Sequence, residues 1–189
     1  MKPRNLTVGS LILIGLIFAL SQIKFSAPLN VTSTPMPTVS PVAEATSSSV
    51  LGVRLKTSGC VAQGALQDKD CTPGAAITGV TKDQICTPGY AKSVRNVPEK
   101  EKNDVYLEYG ITSHVEGEYE VDHLISLELG GSNDISNLWP EPADPKPGFH
   151  EKDKVENELH KQICEGIITL QQAQQQISNN WLTVYQQLQ

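Results

Sequence analysis

The sequence predicts a small α+β domain in which helices cover a two-stranded hairpin. Three observations carry that expectation. YEVDHLI, from Tyr119 to Ile125, has strand-forming content in Tyr119, Val121 and Ile125. A glycine-bearing loop separates it from a second short extended segment in NLWPEP. Farther on, Val155, Leu159 and Ile163 recur every four residues as the apolar stripe of a helix. A lone hairpin is marginal in water, so helices must cover it.

The elements follow in chain order. Lys2 and Arg4 precede a mostly apolar, uncharged run from Leu6 to Ile23. A basic start followed by such a run is an export signal or a membrane anchor, and its length is near the roughly 20 residues a spanning helix needs. Ser26 and Ala27 are small, but Pro28 makes a poor cleavage context, which favours an uncleaved anchor over residues 1–25. Residues 26–56 read as a linker: Ser26–Val50 is rich in Ser, Thr and Pro with one charge, Glu44, and cannot bury enough apolar surface to offset its ordering entropy. The folded domain is expected over residues 57–189. Its expected place is extracellular, either secreted or held to the membrane by the N-terminal segment. Nothing in the sequence marks an obligate protein partner.

Four cysteines, Cys60, Cys71, Cys86 and Cys164, lie in that domain. An oxidising location favours disulfides, and no C-x-x-C pair supports a zinc site. Four cysteines allow three pairings. The expected one is Cys60–Cys71, closing a short loop, with Cys86–Cys164 tying the irregular early part to the later helix. CTPG occurs at both Cys71–Gly74 and Cys86–Gly89, and Pro-Gly suits the centre of a type II turn. A helix is expected over Pro98–Tyr109, with Pro98 at its first position and Gly110 ending it. A second is expected over Glu151–Cys164, ended by Gly166. A third begins at Thr169, with Gln172 placed for a capping box and Leu170, Ala173, Ile177, Trp181, Val184 and Leu188 on its buried face.

Chemistry concentrates between the first and second of these helices. Asp122 and His123 stand side by side within an apolar run. In a strand their side chains diverge, unless the backbone bends there or the strand ends. Phosphodiester hydrolysis needs an activated water, a cation facing the phosphate and a stabilised leaving oxygen. A histidine on the strand can be the base, a neighbouring carboxylate can hold a divalent metal, and a ligand from the helix start can close the site. An asparagine between them can hold the loop or orient the imidazole. His123, Asp122, His150 and Asn137 are the candidates.

VDHLISLELGGSNDISNLWPEP followed by HEKDKVENELH resembles the HNH endonuclease family, in its Asp-His variant. The resemblance is strong over Tyr119–Cys164. CTPGYAKSVRNVP upstream and LQQAQQQISNNW downstream also resemble segments that accompany the motif in exported bacterial members. It implies a ββα-metal finger, also called a His-Me finger, and metal-dependent cleavage of nucleic acid, DNA before RNA. It implies Asp122 as a metal ligand, His123 as general base and Asn137 as the middle asparagine of the motif. His150 fills the helix position, with Asn157, seven residues on, as the alternative. The cofactor implied is a divalent ion, Mg²⁺ first, with Mn²⁺ or Zn²⁺ as alternatives. The family's usual zinc-binding cysteine pairs around the finger are absent, so no structural zinc is expected.

Residues 57–189 hold 10 Lys and Arg against 20 Asp and Glu, a net of −10. That average field repels a polyanion. A nuclease therefore needs local positive charge, from a metal or from Lys146, Lys152, Lys154 and Lys161. The other reading is a catalytically inactive, anchored interaction or cation-binding module. His160 and His114 read as packing and loop residues.

Overall fold

Strand β1, Tyr119–His123, pairs antiparallel with β2, Leu138–Pro142, in a two-stranded sheet. The register sets Glu120 opposite Glu141, Asp122 opposite Trp139 and His123 opposite Leu138. This computed structural model describes residues 51–189. The segment read as a signal or anchor, and the linker up to residue 50, lie outside the described residues. Among the described residues no helix is long and apolar enough to cross a membrane.

Five helices accompany the sheet among the described residues: α1 Lys82–Ile85, α2 Tyr90–Val94, α3 Glu99–Glu108, α4 Phe149–Glu165 and α5 Leu170–Gln187. The domain is thus mixed α and β, and β1, β2 and α4 follow one another in the chain. Helix α4 starts after Gly148, whose N–H donates to the Glu151 carboxylate at 3.0 Å, and ends at Gly166 in the left-handed region. Helix α5 starts with the Thr169–Gln172 capping box and is broken at Asn180, which is extended at φ −168°.

The core lies between α4 and α5. Val155, Leu159 and Ile163 of α4 meet Ala173, Ile177 and Trp181 of α5, with Ile125 and Leu129 of the post-strand loop packed among them. The paired glycines let that loop fold onto itself. Gly130 sits at φ 72°, and a Cβ on Gly131 would lie 1.7 Å from the Ile125 carbonyl oxygen. The Ser126 carbonyl then accepts from the Leu129 and Gly131 N–H groups, each at 2.9 Å.

Cys60 is bonded to Cys71, and Cys86 to Cys164. Two disulfides fit an extracellular location. The linker expected to run to residue 56 gives way to the domain earlier. Leu55 N–H donates to the Asp70 carbonyl at 2.8 Å, Arg54 Nε donates to the Cys71 carbonyl at 2.8 Å, and Arg54 pairs with Glu108. Two cationic side chains, Arg54 and Lys56, find buried or half-buried acids here, and composition alone does not show that.

Candidate active site at the end of the hairpin

His123 closes β1 and is 1% exposed. Strand alternation sends its ring to the face opposite Asp122, so the two neighbours do not form a hydrogen-bonded dyad. The ring partner is Asn133, whose Oδ1 lies 3.2 Å from His123 Nε2. Two backbone groups fix the orientation of the Asn133 amide. Its Oδ1 accepts from the Asn96 N–H at 3.1 Å, and its Nδ2 donates to the Val94 carbonyl at 2.8 Å. An N–H can only donate and a carbonyl can only accept, so the amide cannot be flipped. His123 Nε2 therefore carries the proton and Nδ1 carries a lone pair. Nδ1 is buried and has no hydrogen-bond partner. Burial lowers the imidazole's proton affinity. The Asp122 charge and the Asn133 hydrogen bond oppose that, Arg95 and Lys152 reinforce it, and the net shift is downward. The ring is thus a neutral base at pH 7.

Asn137 plays a different part. It is fully buried at the end of a 3-10 turn. Its Oδ1 accepts from Ile125 N–H at 3.0 Å and Ala75 N–H at 3.2 Å, and its Nδ2 donates to the Ile125 and Ser132 carbonyls, each at 2.9 Å. All of these partners are backbone groups, so Asn137 holds the glycine loop and does not touch the imidazole.

On the opposite face of the sheet Asp122 meets Lys152 of α4. The Lys152 ammonium is 0% exposed and donates to Asp122 Oδ2 at 2.5 Å, to the His123 carbonyl at 2.9 Å and to Glu156 Oε1. Glu141 Oε2, also fully buried, lies 3.8 Å from the same nitrogen. Burial pushes the Asp122 carboxyl up, but the charge and hydrogen bond of Lys152 outweigh it, and Asp122 stays ionised. Burial raises Glu141 well above the carboxylate range despite Lys152. Neither Glu141 oxygen has a hydrogen-bond partner. Burial pushes Glu156 up to about 8, against the pull of Lys152. Lys152 itself, penalised by burial, is held charged by Asp122, Glu156 and Glu141.

The expected helix ligands do not join this cluster. His150 lies about 160° and Asn157 about 140° around α4 from Lys152, at 100° per residue. Lys152 faces Asp122, so the other two face away. His150 is 67% exposed in its side chain, with Nδ1 4.0 Å from Asp153 Oδ2, and Asn157 donates to the Asp153 carbonyl of its own helix. The phase was legible: Lys152 precedes Val155 by three residues and so shares the buried stripe, whereas His150 and Asn157 fall off it. The other lysines offered as local positive charge are also partly spoken for, since Lys146 and Lys154 pair with Glu151.

Arg95 is, with Lys152, one of two basic residues whose charge acts on the imidazole. Its charge acts on both His123 and Glu120, and it lines a cleft of about 430 Å³ with Lys102, Tyr106, His114 and Glu120. Among the described residues, Cys86, His160 and Cys164 are the one group of three metal-type side chains whose ligand atoms all lie within 4.8 Å of one another, and its two sulfurs are bonded to each other. His160 Nε2 lies 3.0 Å from the Ile85 carbonyl. Asn133 had no sequence signal, because its role depends on the loop meeting residues 94–96. No protein-family model, curated protein or solved structure matches the chain.

Proposed function

We propose that this domain is an endonuclease of HNH type, built on a ββα finger of β1, β2 and α4, that hydrolyses phosphodiester bonds of nucleic acid, DNA first. The observation that supports this above others is the His123 ring. It is buried, neutral and held by Asn133 in the tautomer that leaves the Nδ1 lone pair free. In the reaction Nδ1 takes a proton from water while the water oxygen bonds to phosphorus. The bond from phosphorus to the leaving sugar oxygen breaks, that oxygen takes a proton from solvent, and the imidazolium returns its proton to solvent. Nδ1 is out of contact with solvent, so the attacking water has to be admitted as substrate binds. Arg95, on the cleft side, supplies positive charge for the phosphate.

The divalent ion implied by the resemblance takes no part in these steps, because Asp122, His150 and Asn157 do not converge on one point. The test is nicking of supercoiled DNA, and cleavage of RNA, by the full chain with divalent metals and with EDTA. His123→Ala should cut about 10²–10⁴-fold more slowly. The net charge of −10 over residues 57–189 favours the inert-module reading instead, and a parent that cleaves neither nucleic acid under any condition would establish it.

A further inference from the structure

The oxygen cage between the hairpin and α4 has the chemistry of a hard-cation site. Asp122 Oδ2, Glu156 Oε1, Glu141 Oε2 and the His123 carbonyl all face one point, with no nitrogen or sulfur ligand among them. Glu141 in particular is fully buried, aims at that point and has no conventional hydrogen-bond partner. The point is occupied by the Lys152 nitrogen. An ammonium has three N–H donors. Here they go to Asp122, Glu156 and the His123 carbonyl, so none is left for a substrate.

We propose that Lys152 is the resident cation of this centre: its ammonium fills the cage of Asp122, Glu141, Glu156 and the His123 carbonyl, and the centre takes up no divalent metal ion while Lys152 is present. The location of the centre rests on the hydrolase reading above; the occupancy of the cage does not. Lys152 acts as a positioning residue. It pins the backbone of His123 from the face opposite the imidazole, and it sets a fixed positive charge beneath the reacting ring. A divalent ion entering beside it would meet a like charge at close range in a buried setting. His150 and Asn157, the side chains that would complete a metal shell, face away from it.

Mn²⁺ titration of the full chain, followed by electron paramagnetic resonance, tests this directly. The parent and Asp122→Asn should give the same curve, with no saturable site in the cage up to about 1 mM, the weak end of protein oxygen-ligand sites. Lys152→Ala, which empties the cage and keeps its oxygens, should gain one site, and adding Asp122→Asn should remove it. A parent site that disappears in Asp122→Asn overturns the proposal, as does a folded Lys152→Ala that gains none. If Lys152→Ala does not fold, the parent against Asp122→Asn decides alone. Cleavage provides a separate readout. His123-dependent cleavage that survives EDTA agrees with the proposal, and cleavage that needs Mg²⁺ through Asp122 refutes it. A parent that cleaves nothing removes the hydrolase reading, and the Mn²⁺ titration still decides this one.

Discussion

Asn133 holds His123 in a single tautomer: its Oδ1 sits 3.2 Å from the imidazole Nε2 while accepting from the Asn96 N–H at 3.1 Å. The amide cannot turn, and so the ring cannot exchange which nitrogen carries the proton. Burial, reinforced by Arg95 and Lys152, keeps the proton affinity of this base low even though the Asp122 charge and the Asn133 hydrogen bond favour the imidazolium.

Cleavage should therefore persist at acid pH. Burial holds His123 below its ordinary value of 6.5, so the acid limb of a pH–rate profile should fall below that value. Asn133→Asp puts a carboxylate against Nε2 and should move the limb upward by about 1–3 units, the usual effect of an opposite charge at contact. A limb that stays in place would remove His123 as the titrating base.

Stability should carry two opposite pH dependences. The folded state holds His123 below its unfolded value, so the unfolded chain binds the proton more readily, and His123 costs stability as pH falls below 6.5. Glu156 is raised from 4.5 to about 8. Its contribution is intact below 4.5 and is lost as pH rises through about 8. Urea midpoints of Glu156→Gln should consequently decline less between pH 5 and 8 than those of the parent.

Asn137→Ala should destabilise by about 3 kcal/mol or more, because four buried hydrogen bonds to backbone are lost and their partners left unsatisfied. Chemical denaturation measures this. Activity per folded molecule at low temperature should fall less than in His123→Ala, since Asn137 reaches the loop and not the ring.

Replacing Cys86 and Cys164 together by Ala should cost about 4.5 kcal/mol in the chain-entropy account, given a sequence separation of 78. The Cys60–Cys71 pair, with a separation of 11, should cost about 3 kcal/mol. Thermal unfolding of the two double variants should rank them in that order.

The hairpin, α4 and the cap of α5 were legible because local signals set them. β-forming residues alternate around Val121, an apolar stripe runs through Val155, and Thr169 stands three residues before Gln172. Thr81 and Gln84 form the same capping signature and cap α1, yet the segment reads as irregular because the helix is only four residues long. The buried centre was harder to see. Lys152 sits in EKDKVE, a run that looks solvated until helix phase and strand register are combined. His150 fills the helix-start position that the resemblance implies, but its phase on α4 turns it outward. Asn133 and Asn137 look interchangeable in GGSNDISN, and only the fold separates the one that meets the imidazole from the one that staples the loop.

The covalent bridge from Cys86 to Cys164 brackets α2, α3, both strands and nearly all of α4. A protease that cuts once anywhere within that bracket leaves two fragments still joined, with the Asp122–Lys152 contact on tethered pieces. A chain working among extracellular proteases would thus survive a first cut in its exposed loop around Ser113–Gly117. The nicked protein would migrate as one species until a reductant separated it into two.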